Sequence, residues 1–350
     1  MIFENKELTP VSQLGEFGLI DHLTQDFKLN NPESVYGIGD DCAVINNGDH
    51  CTLITTDLLM EGVHFDLTYV PLKHLGYKAV AVNISDVIAM NAIPRQITVS
   101  LALSSRFTVE ALEDLYAGIQ MACEKFKIDL VGGDTTTSRS GLCICITAIG
   151  LAKKEEIVYR KNAKVNDLIC VSGDLGGAYA GLLLLEREKE VFLANPKMNP
   201  EFAGFEYILE RQLKPEARLD VMNLLKEAKI KPNAMIDISD GLSSEIIHIC
   251  NQSGTGCKIY EDKIPIDYVT KNFADEIRMD PSILALNGGE DYELLFTIPL
   301  EMHESAKAIK EITIIGHICE KEEGNMLVAR DGTNVPLKAQ GWNAFGTEEK

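Results

Sequence analysis

Carboxylates placed at strand ends and tight turns give this sequence its chemistry. Asp40 and Asp41 follow Gly37-Ile38-Gly39, Asp57 closes Thr55-Thr56-Asp57, and Asp86 closes Asn83-Ile84-Ser85-Asp86. Asp134 follows Gly132-Gly133, Asp237 and Asp240 share Asp237-Ile238-Ser239-Asp240-Gly241, and Gly288-Gly289-Glu290-Asp291 repeats the pattern. Singly, an Asp beside Gly is a turn former or a helix cap. Asp86 differs, because it interrupts an apolar helical run. It either faces solvent there or, if buried, must be paired or bound to metal. Taken together with the neighbouring Thr and Ser, these acids form an oxygen donor set that suits Mg²⁺ and phosphate. Histidine and cysteine are sparse around them, which disfavours zinc.

The usual nucleotide loops are missing. No G-x-x-x-x-G-K-[ST] occurs and no G-x-G-x-x-G follows a strand, so any ATP must be held through carboxylate-bound Mg²⁺. Ser172-Gly173-Asp174-Leu175-Gly176-Gly177 is one loop that offers backbone N–H groups to a phosphate, or else simply packs a strand against a helix. Arg211, Lys214 and Arg218 form a basic cluster that either touches phosphates or, as the better reading, is a solvated helix start.

Composition narrows the partners. The 350 residues hold 33 Lys+Arg and 53 Asp+Glu, a net charge of −20, which argues against nucleic acid and anionic membrane surfaces. The nine cysteines, with no C-x-x-C, read as reduced core residues. The N-terminus lacks a signal-peptide pattern, and the longest uncharged apolar stretch, 141–152, is too short for a bilayer. The expectation is a soluble, cytoplasmic protein.

Elements that alternate between helix and strand periodicity must position the acids. Strands are expected over 42–45, 51–56, 96–103, 129–132 and 142–151, with helices over 14–23, 75–90 and 109–126, the last capped by Thr108. A polar stretch at 153–166 marks a boundary. Beyond it come strands over 168–171, 234–238, 257–260, 292–298 and 312–318. Helices are expected over 178–188, 217–228, 242–251 and 301–309. The class is therefore α/β (or α+β) in two domains, 1–155 and 156–350.

Seven segments in order carry a resemblance: Gly39-Asp40-Asp41-Cys42-Ala43, Thr55-Thr56-Asp57, Glu61-Gly62-Val63-His64-Phe65, Asn83-Ile84-Ser85-Asp86, Gly132-Gly133-Asp134-Thr135, Asp237 to Leu242, and Gly288 to Leu294. The chain resembles the thiamine-monophosphate kinase family of the aminoimidazole ribonucleotide synthetase superfamily. That resemblance implies a two-domain fold of that type, dimeric through N-terminal domains that bind ATP and Mg²⁺. It implies ATP-dependent phosphorylation of thiamine monophosphate to thiamine diphosphate, the last step of that cofactor's biosynthesis.

By motif matching, the metal ligands would be Asp40, Thr55, Thr56, Asp57, Asp86, Asp134, Asp237 and Asp240, with Asp57 and Asp240 central to catalysis. Tyr116, Gly133, Asp134, Arg160 and Ser239 would face ATP, and His64, Glu290 and either Trp342 or Phe345 would face thiamine monophosphate. The chemistry is consistent with those residue types. The acceptor phosphate is already ionised and needs no strong base, so His64 would grip it rather than take a proton. The alternatives are another ATP-dependent synthetase of the superfamily and an inactive metal-binding scaffold. Intact acids at every motif speak against the scaffold.

Overall fold

The computed structural model describes residues 9–339, in which the alternating periodicities resolve into two mixed sheets. The first half runs α1 (Gly15–Thr24), β1 (Ser34–Tyr36), β2 (Ala43–Asn46), β3 (Cys51–Met60), α2 (Leu72–Ala89), β4 (Ile93–Leu103), α3 (Val109–Phe126), β5 (Asp129–Thr137) and β6 (Leu142–Ala152). Its strands line up as β1-β2-β3-β6-β4-β5, all antiparallel except β4 with β5.

The second half runs β7 (Leu168–Ser172), α4 (Gly177–Ala194), α5 (Glu206–Leu213), α6 (Leu219–Glu227), β8 (Ala234–Asp237), α7 (Leu242–Ser253), β9 (Gly256–Tyr260), α8 (Tyr268–Glu276), α9 (Pro281–Asn287), β10 (Leu294–Ile298), α10 (His303–Lys307), β11 (Ile312–Cys319), β12 (Asn325–Val328) and β13 (Asn334–Pro336). Its sheet order is β13-β12-β9-β11-β7-β10-β8.

The apolar helix α2 is the centre of the arrangement. It is buried along almost its whole length from Leu75 to Ala89, as a helix without a polar face must be. It lies on one face of the first sheet, where every second residue of β6 is buried. The other face of that sheet is only partly covered, and β5 is exposed throughout. Helix α3, capped by the Thr108 hydroxyl, packs on α2 so tightly that only glycine fits at the crossing. A Cβ on Gly118 would stand 1.9 Å from the Lys73 carbonyl oxygen, and one on Gly76 would stand 2.0 Å from that of Leu115.

One face of the second sheet, with Ile169, Val171, Ile236 and Leu295, packs on Ile246 and Ile249 of α7. The opposite face, with Cys170, Met235, Leu294 and Phe296, shares a core with Leu75, Ile84 and Leu115 of the first half. The two sheets are thus joined through continuous apolar packing across which α2 runs. All nine cysteines are free and most are buried.

The sequence reading missed the short elements. Strands β1, β12 and β13 and helices α5, α8 and α9 are too short or too polar to show a clear period, and tertiary contacts form them. The strand expected from Tyr292 begins at Leu294, because Tyr292 holds a left-handed backbone at φ 51°.

The α2–α3 crossing provides a direct check. Gly118→Ala should cost about 2 kcal/mol or more in chemical denaturation, since the added methyl group meets backbone rather than a movable side chain. An unchanged midpoint would refute this description of the crossing.

Candidate active site

The acids converge between the two halves. Near the end of α2, Asp86 receives the Thr55 hydroxyl of β3 at 2.6 Å. Asp237, at the end of β8, receives the Ser85 hydroxyl, one residue before Asp86. Asn83, a turn earlier, accepts the backbone N–H of Asp57 at 3.0 Å through its side-chain oxygen. A single turn of α2 therefore orients three acids from three elements. Asp86 is half-buried rather than turned to solvent, and the carboxylate oxygens of Asp41, Asp86 and Asp237 lie within 4.8 Å of one another.

Like charges at that spacing work against ionisation. Burial, and then the nearby Asp41, raise Asp237 to about 7 and Asp57 to about 6. Burial together with Asp57, Asp237 and Asp41 pushes Asp86 well above the carboxylate range. Burial and Asp41 raise Asp40 to about 7, although the Arg160 cation opposes them. Arg160 is the neighbouring counter-charge: its Nε donates to Asp41 at 3.1 Å, and its backbone N–H donates to Asp40 at 3.1 Å. The second oxygen of Asp41 is buried without a partner. Several hard oxygens, one of them orphaned, beside a single cation are what a divalent metal ion would complete. The residues present therefore fit Mg²⁺.

The loop entering α7 adds Ser239 and Asp240. Glu245 fixes it by accepting the Asp240 backbone N–H at 2.9 Å. Burial and then Glu16 raise Asp240 to about 6. On the first half, His64 accepts the Met60 backbone N–H on Nδ1 at 3.0 Å, which leaves Nε2 as a donor. Burial lowers its pKa while Glu290 acts in the opposite direction. Glu290 itself is pinned by an ion pair with Lys78 of α2 at 2.7 Å.

The other expected residues stand apart within one chain. Tyr116 of α3 and Leu130 of β5 line a cavity of about 440 Å³. Asp57, Ile146, Val99 and Gly133 form one row across β3, β6, β4 and β5, and Leu58, Cys145, Ser100 and Asp134 form the next. Three strand spacings place Gly133 roughly 14 Å from Asp57. Asp134, one residue on, belongs to the sheet face turned away from α2. The hydroxyl of Thr56 also lies on that face, donating to the Ile146 carbonyl at 3.1 Å. Trp342 and Phe345 lie outside the described residues.

One reading is corrected and one open alternative is decided. Arg211 and Arg218 are not a solvated helix start: both pair with buried Glu293, Arg211 at 2.8 Å. The Ser172–Gly177 loop is not open to a phosphate. Asp291 occupies it, accepting the N–H of Gly176 at 2.7 Å and that of Ala178 at 3.2 Å. Asp41 stood among the singled-out acids but not among the expected metal ligands, and Lys78 was overlooked. The pattern cannot tell which member of an Asp-Asp pair points inward. For Lys78 the signal existed, since it is a charge inside the same apolar helix as Asp86.

Residues 39–152 match the family model described as AIR synthase related protein, N-terminal domain. The chain is 37% identical over 336 residues to the thiamine-monophosphate kinase of Aquifex aeolicus (strain VF5), covering 96% of this chain and 99% of that protein. It is 34% identical over 342 residues to the thiamine-monophosphate kinase of Bacillus subtilis (strain 168), covering 95% and 100%. Its fold is similar to the solved structure of AaThiL complexed with AMPPCP and TMP, with a TM-score of 0.82, 35% identity and coverage of 97% of this chain and 100% of that one.

The raised pKa values make metal-free stability depend on pH. Carboxylates that ionise less readily when folded favour the folded state below their unfolded pKa, and that advantage is lost as pH rises through about 6 to 7. In EDTA the thermal midpoint should therefore fall between pH 5 and pH 8, and millimolar Mg²⁺ should restore it at pH 8. Asp237→Asn should raise the metal-free midpoint at pH 8 and blunt the Mg²⁺ response. A midpoint independent of pH and Mg²⁺ would refute the electrostatic description.

Proposed function

The chain belongs to the thiamine-monophosphate kinase family, and on that premise we propose that it transfers the terminal phosphoryl group of ATP to thiamine monophosphate, giving thiamine diphosphate and ADP. The observation that carries this reading is the near-full-length likeness to those kinases combined with the gathering of Asp41, Asp86 and Asp237 at one place, with Asp57 near enough to act on Asp86. The related AaThiL chain is complexed with AMPPCP and TMP, which supports the same pair of ligands here.

Two polyanions must meet for this reaction. A phosphate oxygen of the acceptor forms the new bond to the terminal phosphorus as the bond to the ADP oxygen breaks. That oxygen is already ionised near pH 7, so no residue has to abstract a proton. The metal ligands we propose are Asp57, Asp86, Asp237 and Asp240, with Asp41 joining them and Asp40 and Thr55 at the edge of the group. Bound Mg²⁺ would neutralise phosphate charge and stabilise the charge of the in-line transfer. Asp41 and Asp40 hold Arg160 charged at the same edge, despite its burial, where it can face the nucleotide with Ser239. Nε2 of His64 donates to the acceptor phosphate. Glu290, with Trp342 or Phe345, faces the thiamine rings, for which an aromatic face and a carboxylate are suited.

The reading includes a cytoplasmic homodimer built on the 1–155 domain, with 156–350 as the second domain. The dimer is supported by the exposed strand β5, where Leu130 and Val131 are 43% and 58% exposed, a surface that proteins normally cover. It is also the arrangement in which Tyr116, Gly133 and Asp134 of one protomer serve the cleft of its partner, which the distance across the sheet denies them within one chain. Among the described residues no helix is long and apolar enough to cross a membrane.

With Mg²⁺ and ATP, the purified chain should convert thiamine monophosphate to thiamine diphosphate, read by mass spectrometry against a panel of other acceptors. Asp57→Asn and Asp134→Asn should each lower kcat about 100-fold. Mixing the two variants should restore about a quarter of the activity, since half of the random dimers carry one intact site of two. No thiamine diphosphate from the unmodified chain would overturn the activity. No recovery on mixing would overturn the shared site alone.

A further inference from the structure

Lys78 is a buried cation in a helix that is buried along almost its whole length from Leu75, with only 4% of its side chain exposed. A lone buried ammonium group is costly, so what it pairs with is informative. It crosses between the halves to Glu290, at 2.7 Å from Oε2, and also donates to the Gln212 backbone oxygen at 3.1 Å. Nε2 of Gln212 donates to the same Glu290 oxygen at 2.7 Å. Two donors thus occupy Oε2 of Glu290. Among the described residues no donor reaches Oε1, while the Glu290 side chain remains 27% exposed. The Glu290 backbone is held in a left-handed conformation at φ 67°, and its N–H donates to the Ser239 carbonyl at 2.7 Å. Gly289 is pressed on the same carbonyl, where a Cβ would come within 2.1 Å. Backbone and side chain are therefore fixed independently, and the side-chain fixation comes from the helix that also orients Asp86, Asp57 and Asp237.

We propose that Lys78 is a positioning residue for the acceptor substrate. It holds one oxygen of Glu290 so that the other is aimed at thiamine monophosphate, at a set distance from the carboxylates on the same helix. The ion pair does not touch the substrate. It fixes the acceptor-facing group of one half relative to the metal-facing acids of the other. Removing the ammonium group leaves Glu290 held by Gln212 alone and loosens acceptor binding, while ATP binding, built from other residues, is unaffected. This inference rests on the reading of Glu290 as acceptor-facing.

The test is steady-state kinetics of the full chain with Mg²⁺, ATP and thiamine monophosphate, comparing Lys78→Met, Lys78→Arg, Glu290→Gln and the double variant K78M/E290Q. The expected result is a rise of about tenfold or more in the acceptor KM for Lys78→Met, with the ATP KM within about twofold and partial rescue by Lys78→Arg. Added to Glu290→Gln, the Lys78 change should cause no further rise, because it acts through Glu290. This comparison also carries the test if Lys78→Met alone fails to fold, since the double variant buries no unpaired charge. An acceptor KM that responds to Glu290→Gln but not to Lys78→Met overturns the proposal and leaves the acceptor-facing reading standing. So does a Lys78 change that multiplies the effect of Glu290→Gln, or one that raises both KM values equally. An acceptor KM indifferent to Glu290→Gln overturns that reading and the proposal with it.

Discussion

The mutual repulsion of carboxylates packed in one cleft is the constraint on which the rest depends. At about 4 Å, two unit charges in a partly buried site oppose each other by roughly 4 kcal/mol. Asp41, Asp86 and Asp237 stand at about this spacing, with Asp57 close enough to raise Asp86 further and Arg160 as the neighbouring cation. The acids do not assemble for their own stability. They are carried there by α2, whose apolar surface is buried by both halves of the chain, and by strand ends that pack on it. The unfavourable electrostatics are offset by hydrophobic burial elsewhere and leave a group of oxygens whose chemistry suits a divalent cation.

The segment from Gly288 to Glu293 shows how the halves are locked around that cleft. Each of its four polar side chains goes to a different place. Glu290 reaches Lys78, Asp291 caps the backbone N–H groups at the start of α4, Tyr292 lies near the carboxylates, and Glu293 neutralises Arg211 and Arg218. The backbone is tied to the other acid-bearing loop, Tyr292 N–H to the Ile238 carbonyl at 2.9 Å and Glu290 N–H to that of Ser239 at 2.7 Å. Left-handed backbone at both Glu290 and Tyr292 costs about 1–3 kcal/mol each. The pairing of Glu290 with Lys78, of Asp291 with the α4 N–H groups and of Glu293 with the two arginines holds that strain in place. One loop thus ties Lys78, the start of α4, the two arginines and the other acid-bearing loop together, and it does so with six consecutive residues of the sequence.

Much of the site was legible because its residues violate local expectation. An aspartate inside an apolar helix and acids beside paired glycines are visible without a fold. What periodicity could not supply was direction. Asp41 rather than Asp40 joins Asp86 and Asp237, a choice set by how the chain enters β2. Asp134 and the Thr56 hydroxyl look equivalent to Asp57 in sequence, but the sheet places them on its other face. The basic residues near 211–218 gave no sign that they serve Glu293, because that pairing spans 75 to 82 positions of the chain. The phosphate-like loop at 172–177 is correct in shape, but an internal carboxylate fills it, which only tertiary contacts reveal. Short elements such as α5 and α9 follow the same rule, being formed by packing rather than by propensity.

The central claim is that the crowded carboxylates gather divalent cations at a defined place. A crystal of the full chain grown with Mn²⁺ and a nonhydrolysable ATP analogue tests it directly through anomalous scattering. An anomalous peak is expected about 2.2 Å from carboxylate oxygens of the Asp41, Asp86 and Asp237 group. A nucleotide bound in the cleft with no anomalous density at those three aspartates would contradict it.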